Sequence, residues 1–267
     1  MTSAEVMSSE QYADASNLTV RQQLHERFST NPYGWHRWVF DQLDVAEDCC
    51  LLELGCGPAV LWRENAARIP AGWRITLSDF SPGMLHEARR NLSACRHPFS
   101  LQLADAQAIP MAGESVDVIV ANHMLYHVPD IPRALAEIHR VLKPGGRLYA
   151  AANGRQHLRE LRGLLGRCMG NVSDASKGAE RFGLENGPEL LAPWFTEVAV
   201  RRYEDALVVT QVGPLVAYVV SEARIWPFAV EDKQAEYTRQ LDRELSRNGA
   251  IRVAKDSGLI VARKRNP

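Results

Sequence analysis

Two short stretches of this 267-residue chain carry residue types whose spacing could do chemistry. Glu53-Leu54-Gly55-Cys56-Gly57-Pro58-Ala59 closes an apolar run, and Asp79 closes the next one. Gly55 and Gly57 carry no Cβ, so the backbone can turn tightly there and approach a ligand closely. An acid at the end of the following strand is placed to accept hydrogen bonds from ribose hydroxyls. Two ligand classes could use such a loop. A dinucleotide needs G-x-G-x-x-G, with its pyrophosphate on the helix N-terminus. Here the third glycine position is Val60, and Pro58 removes a backbone donor that an anion could use. A ribose-bearing ligand without phosphate needs only the close approach and the acid. Cys56 inside the loop reads as a small packing residue. A second group, Asn122-His123-Met124-Leu125-Tyr126-His127, follows another apolar run. His123, Tyr126 and His127 could orient or deprotonate a substrate, since an imidazole titrates near 6.5. Each could equally be a structural hydrogen-bonder.

The elements that must position these residues show in the periodicity. Cys49–Leu54, Arg74–Asp79, Phe99–Ala104, Val116–Ala121 and Arg147–Ala151 are short, nearly continuous apolar runs, as in strands buried on both faces. Helical patterns lie between them. One runs to Arg68, another starts at the N-cap Ser81 and Pro82, and a third runs from Pro132 to Leu142, stopped by Lys143-Pro144-Gly145-Gly146. His86 and His139 fall on the solvated faces of the latter two. Strands alternating with helices imply βαβ units and a parallel sheet. Asp117 reads as a support at a strand entrance. Ahead of this pattern, Val20, Leu24 and Phe28 share one helix face, and Trp35, Trp38, Val39 and Leu43 share a second. Beyond Asn153 the chain predicts a helix over Gln156–Cys168, a polar lid-like segment Gly170–Gly178, a short helix from Asn186 to Phe195, strands at Val198–Val209 and Gly258–Arg263, a helix from Gly213 towards Arg224, and a charged helix Glu231–Arg247.

Composition narrows the classes. The chain is 46% hydrophobic and 24% charged, which suits a globular protein. Thirty-one Lys and Arg stand against 32 Asp and Glu, so the basic excess of a general nucleic-acid binder is missing. No apolar run reaches the roughly 18 residues of a membrane span. Five cysteines without a framework spacing, and a polar, acidic start, point to reduced thiols and a cytoplasmic protein.

Read together, Glu53–Ala59, Asp79–Leu85, Ala104-Asp105-Ala106 with Ile109-Pro110, Val116–Ile119 and Leu142–Gly146 resemble, in order, the motifs of class I S-adenosylmethionine-dependent methyltransferases. The similarity is greatest to the subgroup with ubiquinone/menaquinone-pathway and small-molecule natural-product enzymes. The resemblance implies an α/β, Rossmann-like fold: a seven-stranded, mostly parallel sheet with an antiparallel last strand and helices on both faces. An N-terminal helical cap and helical insertions near the C-terminus would decorate it. It implies S-adenosyl-L-methionine as cofactor, S-adenosyl-L-homocysteine as product and no metal. Gly55 and Gly57 would lie against the methionine portion and ribose, with Glu53 supporting the loop or the methionine amine. Asp79 would take the ribose hydroxyls and Phe80 would flank adenine, with Met84 of the same motif in the cofactor-binding set. Asp105 would accept from the adenine amino group, or cap its own loop, while Ala106 offers a backbone donor. Asn122 would touch the cofactor through its main chain.

A methyl sulfonium is already activated, so the protein must chiefly align the reactants and exclude water. A base is needed only if the attacking atom carries a proton, and His127, His123 and Tyr126 are the candidates. The aromatic group Tyr33, Trp35, His36, Trp38 and Phe40 would close over the carboxyl edge of the sheet. Trp38 and Phe40 are expected to pack the core. Tyr12, Tyr33, Trp35 and His36 are expected to line a pocket for a small organic acceptor, such as an aromatic or indole-like compound methylated at C, N or O. The expected organisation is a cap over 1–43 and a methyltransferase domain over 44–267, with a cofactor half (44–153) and substrate-shaping insertions and last strands (154–267). Neither nucleic acid nor a membrane span is expected, and the chain would be a monomer or homodimer. The alternatives are an RNA or protein methyltransferase and a non-catalytic cofactor-binding module.

Overall fold

The computed structural model describes residues 16–169, 177–221 and 231–265. Within them the strands β1 (Cys50–Leu54), β2 (Arg74–Asp79), β3 (Phe99–Leu103), β4 (Val116–Asn122), β5 (Leu142–Asn153), β6 (Phe195–Val209) and β7 (Ile251–Lys264) form one sheet, ordered β3-β2-β1-β4-β5-β7-β6. Strands β1 to β5 are parallel, and β7 runs antiparallel to both β5 and β6. This is the expected α/β architecture. The chain leaves β1 outward through β2 and β3, then returns to lay β4 on its other side. That reversal opens a crevice at the carboxyl ends of β1 and β4.

Alternation along the central strands shows why they are buried on both faces. Leu52, Leu54, Ile119, Ala121, Leu148 and Ala150 face one core. Their neighbours Leu51, Val118, Val120, Tyr149 and Ala151 face the other. Helix α5 (Ile131–Val141) covers the first through Leu135 and Ile138. On the second face lie α2 (Trp35–Asp41), α3 (Val60–Asn65) and α4 (Pro82–Asn91). Asp130 caps α5 by accepting from the amide of Arg133, and Ser81 caps α4 by accepting from that of Met84.

Several boundaries differ from expectation. Helix α3 ends at Asn65 and tightens into a 3₁₀ turn over Ala66–Arg68. Lys143–Gly146 does not separate helix from strand. β5 begins at Leu142, and these residues bulge within it, the register shifting between Val116 and Val118, with Lys143 held by Asp117 across the pair. Helix α6 starts at Arg159, three residues late (Arg159–Met169). His139 is only partly solvated, one side of its ring packing against those of Trp194 and Phe195. The expected lid falls mostly on residues 170–176, outside the described residues, as do the end of the helix begun at Gly213 and Tyr12.

The last strand is much longer than the apolar run that announces it. β6 and β7 continue past β5 as a two-stranded extension, pairing Tyr203–Val209 with Ile251–Ser257. Its third core is built from α1 (Ser16–Phe28), α6, α9 (Val212–Ser221) and α10 (Glu231–Asn248), the last two numbered after the short helices α7 (Lys177–Arg181) and α8 (Gly187–Leu191). Leu24, Leu161, Leu207, Leu215, Tyr237 and Val253 meet there. Helix α1 and the turn after it are thus fastened to the C-terminal part of the chain. Asp205 on β6 is the clasp. Its carboxylate accepts from Ser29 Oγ (2.6 Å) and the amides of Thr30 (3.1 Å) and Asn31 (3.0 Å), and pairs with Lys255 of β7. Both side chains of that pair are buried.

Removing one partner of a buried pair leaves the other charge uncompensated. Asp205→Ala should therefore lower stability by about 3 kcal/mol, read from the urea midpoint. The lysine and the hydrogen bonds hold this carboxyl below its ordinary 3.8, although burial opposes them. Its contribution is present above that value and is lost as the pH falls through the folded-state value. The gap between native and variant protein should accordingly narrow in acid.

Candidate functional site

Three of the five residues that follow β1 hold left-handed backbone: Gly55 (φ +64°), Gly57 (φ +53°) and Ala59 (φ +57°). The loop doubles back over the end of β2, where the Cys56 amide donates to Ser78 O (2.9 Å). A Cβ on Gly55 would come within 2.7 Å of Met124 Cβ, whereas one on Gly57 would clear its nearest neighbour, Leu18 of α1, by 3.8 Å. The first glycine is therefore required by packing, and the second by conformation. Leu18 also shows that the N-terminal helix lies over the loop.

Two carboxyls underlie it. Asp79 accepts from the Gly57 amide through Oδ2 (2.9 Å) and from the Ser81 amide through Oδ1 (2.8 Å). Each oxygen keeps a further lone pair for a ligand hydroxyl. Burial raises its pKa, and the amides oppose the rise. Glu53 is fully enclosed and accepts from Trp62 Nε1 (2.5 Å). Burial pushes its carboxyl up to about 8, with Trp62 opposing and Asp79 adding. Such a floor disfavours a diphosphate and suits a cation. Beside it, Phe80 is exposed at the end of β2, and Met84 is buried in α4. Asp105 accepts from the Gln107 amide (2.8 Å) and side chain (3.0 Å), the arrangement of a loop cap, while Ala106 is buried.

Across the crevice, at the end of β4, Asn122 Oδ1 accepts from Trp35 Nε1 (3.2 Å). His123 adopts φ +58°, a strained conformation for a side chain of its size. Its ring lies 5.0 Å from that of Trp35 and 6.3 Å from Tyr126, which in turn lies 4.5 Å from His127. Trp35 also meets Trp38 (5.3 Å) and the edge of Tyr203 (5.4 Å). The structure thus brings His123, Tyr126, His127 and Trp35 together. Burial lowers the pKa of His123 to about 3 and that of His127 to about 4, with neighbouring positive charge adding to the effect. Neither ring is a strong base as it stands.

Tyr33 and His36 have other partners. Tyr33 lies exposed on the outside of α2, its hydroxyl donating to Asp41. His36 Nδ1 pairs with Glu64 (3.4 Å), which ties α2 to α3. Sequence reasoning does not find His25, His157, Tyr203, Asp205 and Lys255, which gather near the same rings from α1, β6, β7 and the loop after β5. Their types alone give no signal, since β6 and β7 carry several other charged residues, among them Arg201, Arg202, Glu204 and Arg252. No group of three or more His, Cys, Asp or Glu able to hold a metal occurs among the described residues. No helix among them is long and apolar enough to cross a membrane.

Comparison with known proteins agrees with this geometry. Residues 52–150 match the family described as "Methyltransferase domain". A demethylmenaquinone methyltransferase of Symbiobacterium thermophilum is 32% identical over 130 residues, 48% of this chain and 52% of that protein. A malonyl-[acyl-carrier protein] O-methyltransferase of Methylococcus capsulatus is 33% identical over 148 residues, 55% of this chain and 52% of that protein. The chain thus spans about half the length of the curated relatives it matches. Among solved structures, a putative methyltransferase of Bacillus halodurans superposes with a TM-score of 0.59 at 14% identity, over 86% of this chain and 99% of that one. A phosphoethanolamine N-methyltransferase of Haemonchus contortus, in complex with S-adenosyl-L-methionine, gives 0.61 at 16% identity, over 100% and 61%. Residues 52–150 are thus similar to a methyltransferase domain, and these solved structures share the fold.

The two glycines should respond differently to substitution. Gly57→Ala meets only the left-handed backbone and should cost about 1 kcal/mol. Gly55→Ala also drives a Cβ into Met124 and should cost about 2 kcal/mol or more. Equal urea midpoints for the two variants would show that Met124 yields freely.

Proposed function

We propose that this chain, whose residues 52–150 match a methyltransferase domain, transfers a methyl group from S-adenosyl-L-methionine to a small organic acceptor. The observation that carries the reading is the glycine loop over Glu53 and Asp79. It offers close backbone approach, an acid for ribose hydroxyls and a floor of carboxyls, with Pro58 contributing no amide for a pyrophosphate. The residues fit the cofactor. Gly55 and Gly57 would take the methionine portion and ribose, Asp79 the ribose hydroxyls, and Glu53 the side nearest the methionine amine. Phe80 and Met84 would flank the adenine, with the Asp105 carboxylate and the Ala106 amide meeting its edge. Asn122 would sit near the reacting end.

When bound, the cofactor supplies an activated methyl on a sulfonium. The chain's task is then to position and to exclude water. Trp35, with Asn122 fixing its indole, walls the acceptor side. Leu18 and the rest of α1 cover the loop. His123 and His127, neutral at physiological pH, can accept a hydrogen bond from an acceptor, and Tyr126 stands between them. Tyr33 and His36 contribute by holding α2, and the outward side of Tyr33 makes it the weakest of the proposed pocket residues. The relatives are named for acceptors as different as demethylmenaquinone and malonyl-[acyl-carrier protein], so the family leaves the acceptor open. The balanced charge favours a small molecule over RNA.

Calorimetry tests the reading. S-adenosylmethionine should bind and NAD should not, and Asp79→Ala should weaken the binding by about 10- to 100-fold. A cation settling beside Glu53 favours its ionised form, so binding should release a proton. Affinity should then rise with pH up to about 8 and level off above it. Well-folded protein that binds NAD in preference would sink the proposal.

A further inference from the structure

Resting on the methyl-transfer reading, we infer that the recess beyond Trp35 selects an acceptor bearing an oxyanion, a carboxylate or phosphate, which His25, His123 and His157 receive beside a flat aromatic wall. The three rings come from separate parts of the chain: α1, the turn after β4 and the loop after β5. His25 and His157 stack with centroids 6.2 Å apart. The Nδ1 atoms of His25 and His123 are buried without a hydrogen-bond partner. His157 Nδ1 accepts from the Asp256 amide (3.3 Å), which places the proton of the neutral ring on Nε2 as a donor. Each of the three residues is, as a whole, only partly buried.

The charges around these rings decide what the recess would hold. Lys255 acts on all three and Arg162 on His157, while Arg21 and Arg181 act on the adjoining His127. Asp205, which acts on His25, is paired with Lys255, so these two buried charges largely offset each other. Asp256, beside His157, is likewise taken by Arg202 and the Gln156 amide. Burial and these cations keep the imidazoles neutral, with His25 and His123 near 3. An entering oxyanion would supply a partner for the unpaired Nδ1 atoms, meet the positive charge of Arg162 beside His157, and favour protonation of the rings that hold it. A cationic acceptor would be repelled. A neutral hydroxyl would find only weak bases. The body of the acceptor would lie against Trp35, whose ring continues into those of Trp38 and Tyr203.

The test titrates three probes of one shape, benzoate, phenyl phosphate and benzamide, into protein saturated with S-adenosylhomocysteine. The first two separate a carboxylate from a phosphate, and the amide is the neutral control. At least one anion should bind about tenfold or more tightly than benzamide at neutral pH. His25→Gln and His157→Gln should each erase most of that preference, with S-adenosylhomocysteine affinity and thermal midpoint unchanged, whereas His86→Gln on the surface should not. Benzamide binding as tightly as both anions, or a preference that survives in both recess variants, would overturn the inference. If His25→Gln does not fold, His157→Gln decides. Failure of S-adenosylhomocysteine to bind would instead defeat the methyl-transfer reading, and the same probes, titrated alone, would still read the charge preference of the recess.

Discussion

Glu53 and Asp79 lie beneath a glycine loop whose amides already serve one of them, and the geometry of the site follows from keeping that pair in place. A buried carboxyl is costly unless its charge is shared or suppressed. Here the two solutions stand side by side. Asp79 is held by the Gly57 and Ser81 amides, while Glu53 retains its proton and leans on Trp62. The amide of Gly57 can reach Asp79 only because the backbone at 57 is left-handed, and the backbone at 55 can pass Met124 only because it carries no Cβ. The carboxyls and the glycines are one device.

The cap extends that device towards the acceptor. Helix α1 reaches from Leu18, over the glycine loop, to His25, in the recess, and the Asp205 clasp fixes the turn that follows it. Trp35 then bridges the two halves. Its indole nitrogen is bound to Asn122 at the end of β4, and its faces meet His123 and Tyr203. The proposed cofactor and acceptor sides are therefore linked through Trp35. Loosening the β6–β7 extension would move the aromatic group proposed to face the acceptor.

Much of this was legible in the sequence where local rules decide. The central strands declared themselves because burial on both faces leaves continuous apolar runs, and Ser81-Pro82 marked its helix through capping chemistry. The long β7 did not, because Ala254-Lys255-Asp256 carries charge whose burial is repaid only by Asp205 and Arg202, some 50 residues away. His139 was misread for a related reason: its helix face looks solvated until the segment holding Trp194 and Phe195 folds over it. Gly55, Gly57 and Asp79 stand out by spacing as candidates, since they lie at or just past strand ends, while Glu53 is added by the resemblance. The His25–His157 pair had no such signal, being made by contacts between distant segments.

A crystal structure with S-adenosylhomocysteine tests the central claim most directly. The account predicts the ribose on Asp79, the adenine between Phe80 and the Asp105–Ala106 turn, and the sulfur directed towards Trp35 and His123. A nucleoside bound away from Asp79, or a sulfur directed away from that recess, would contradict it.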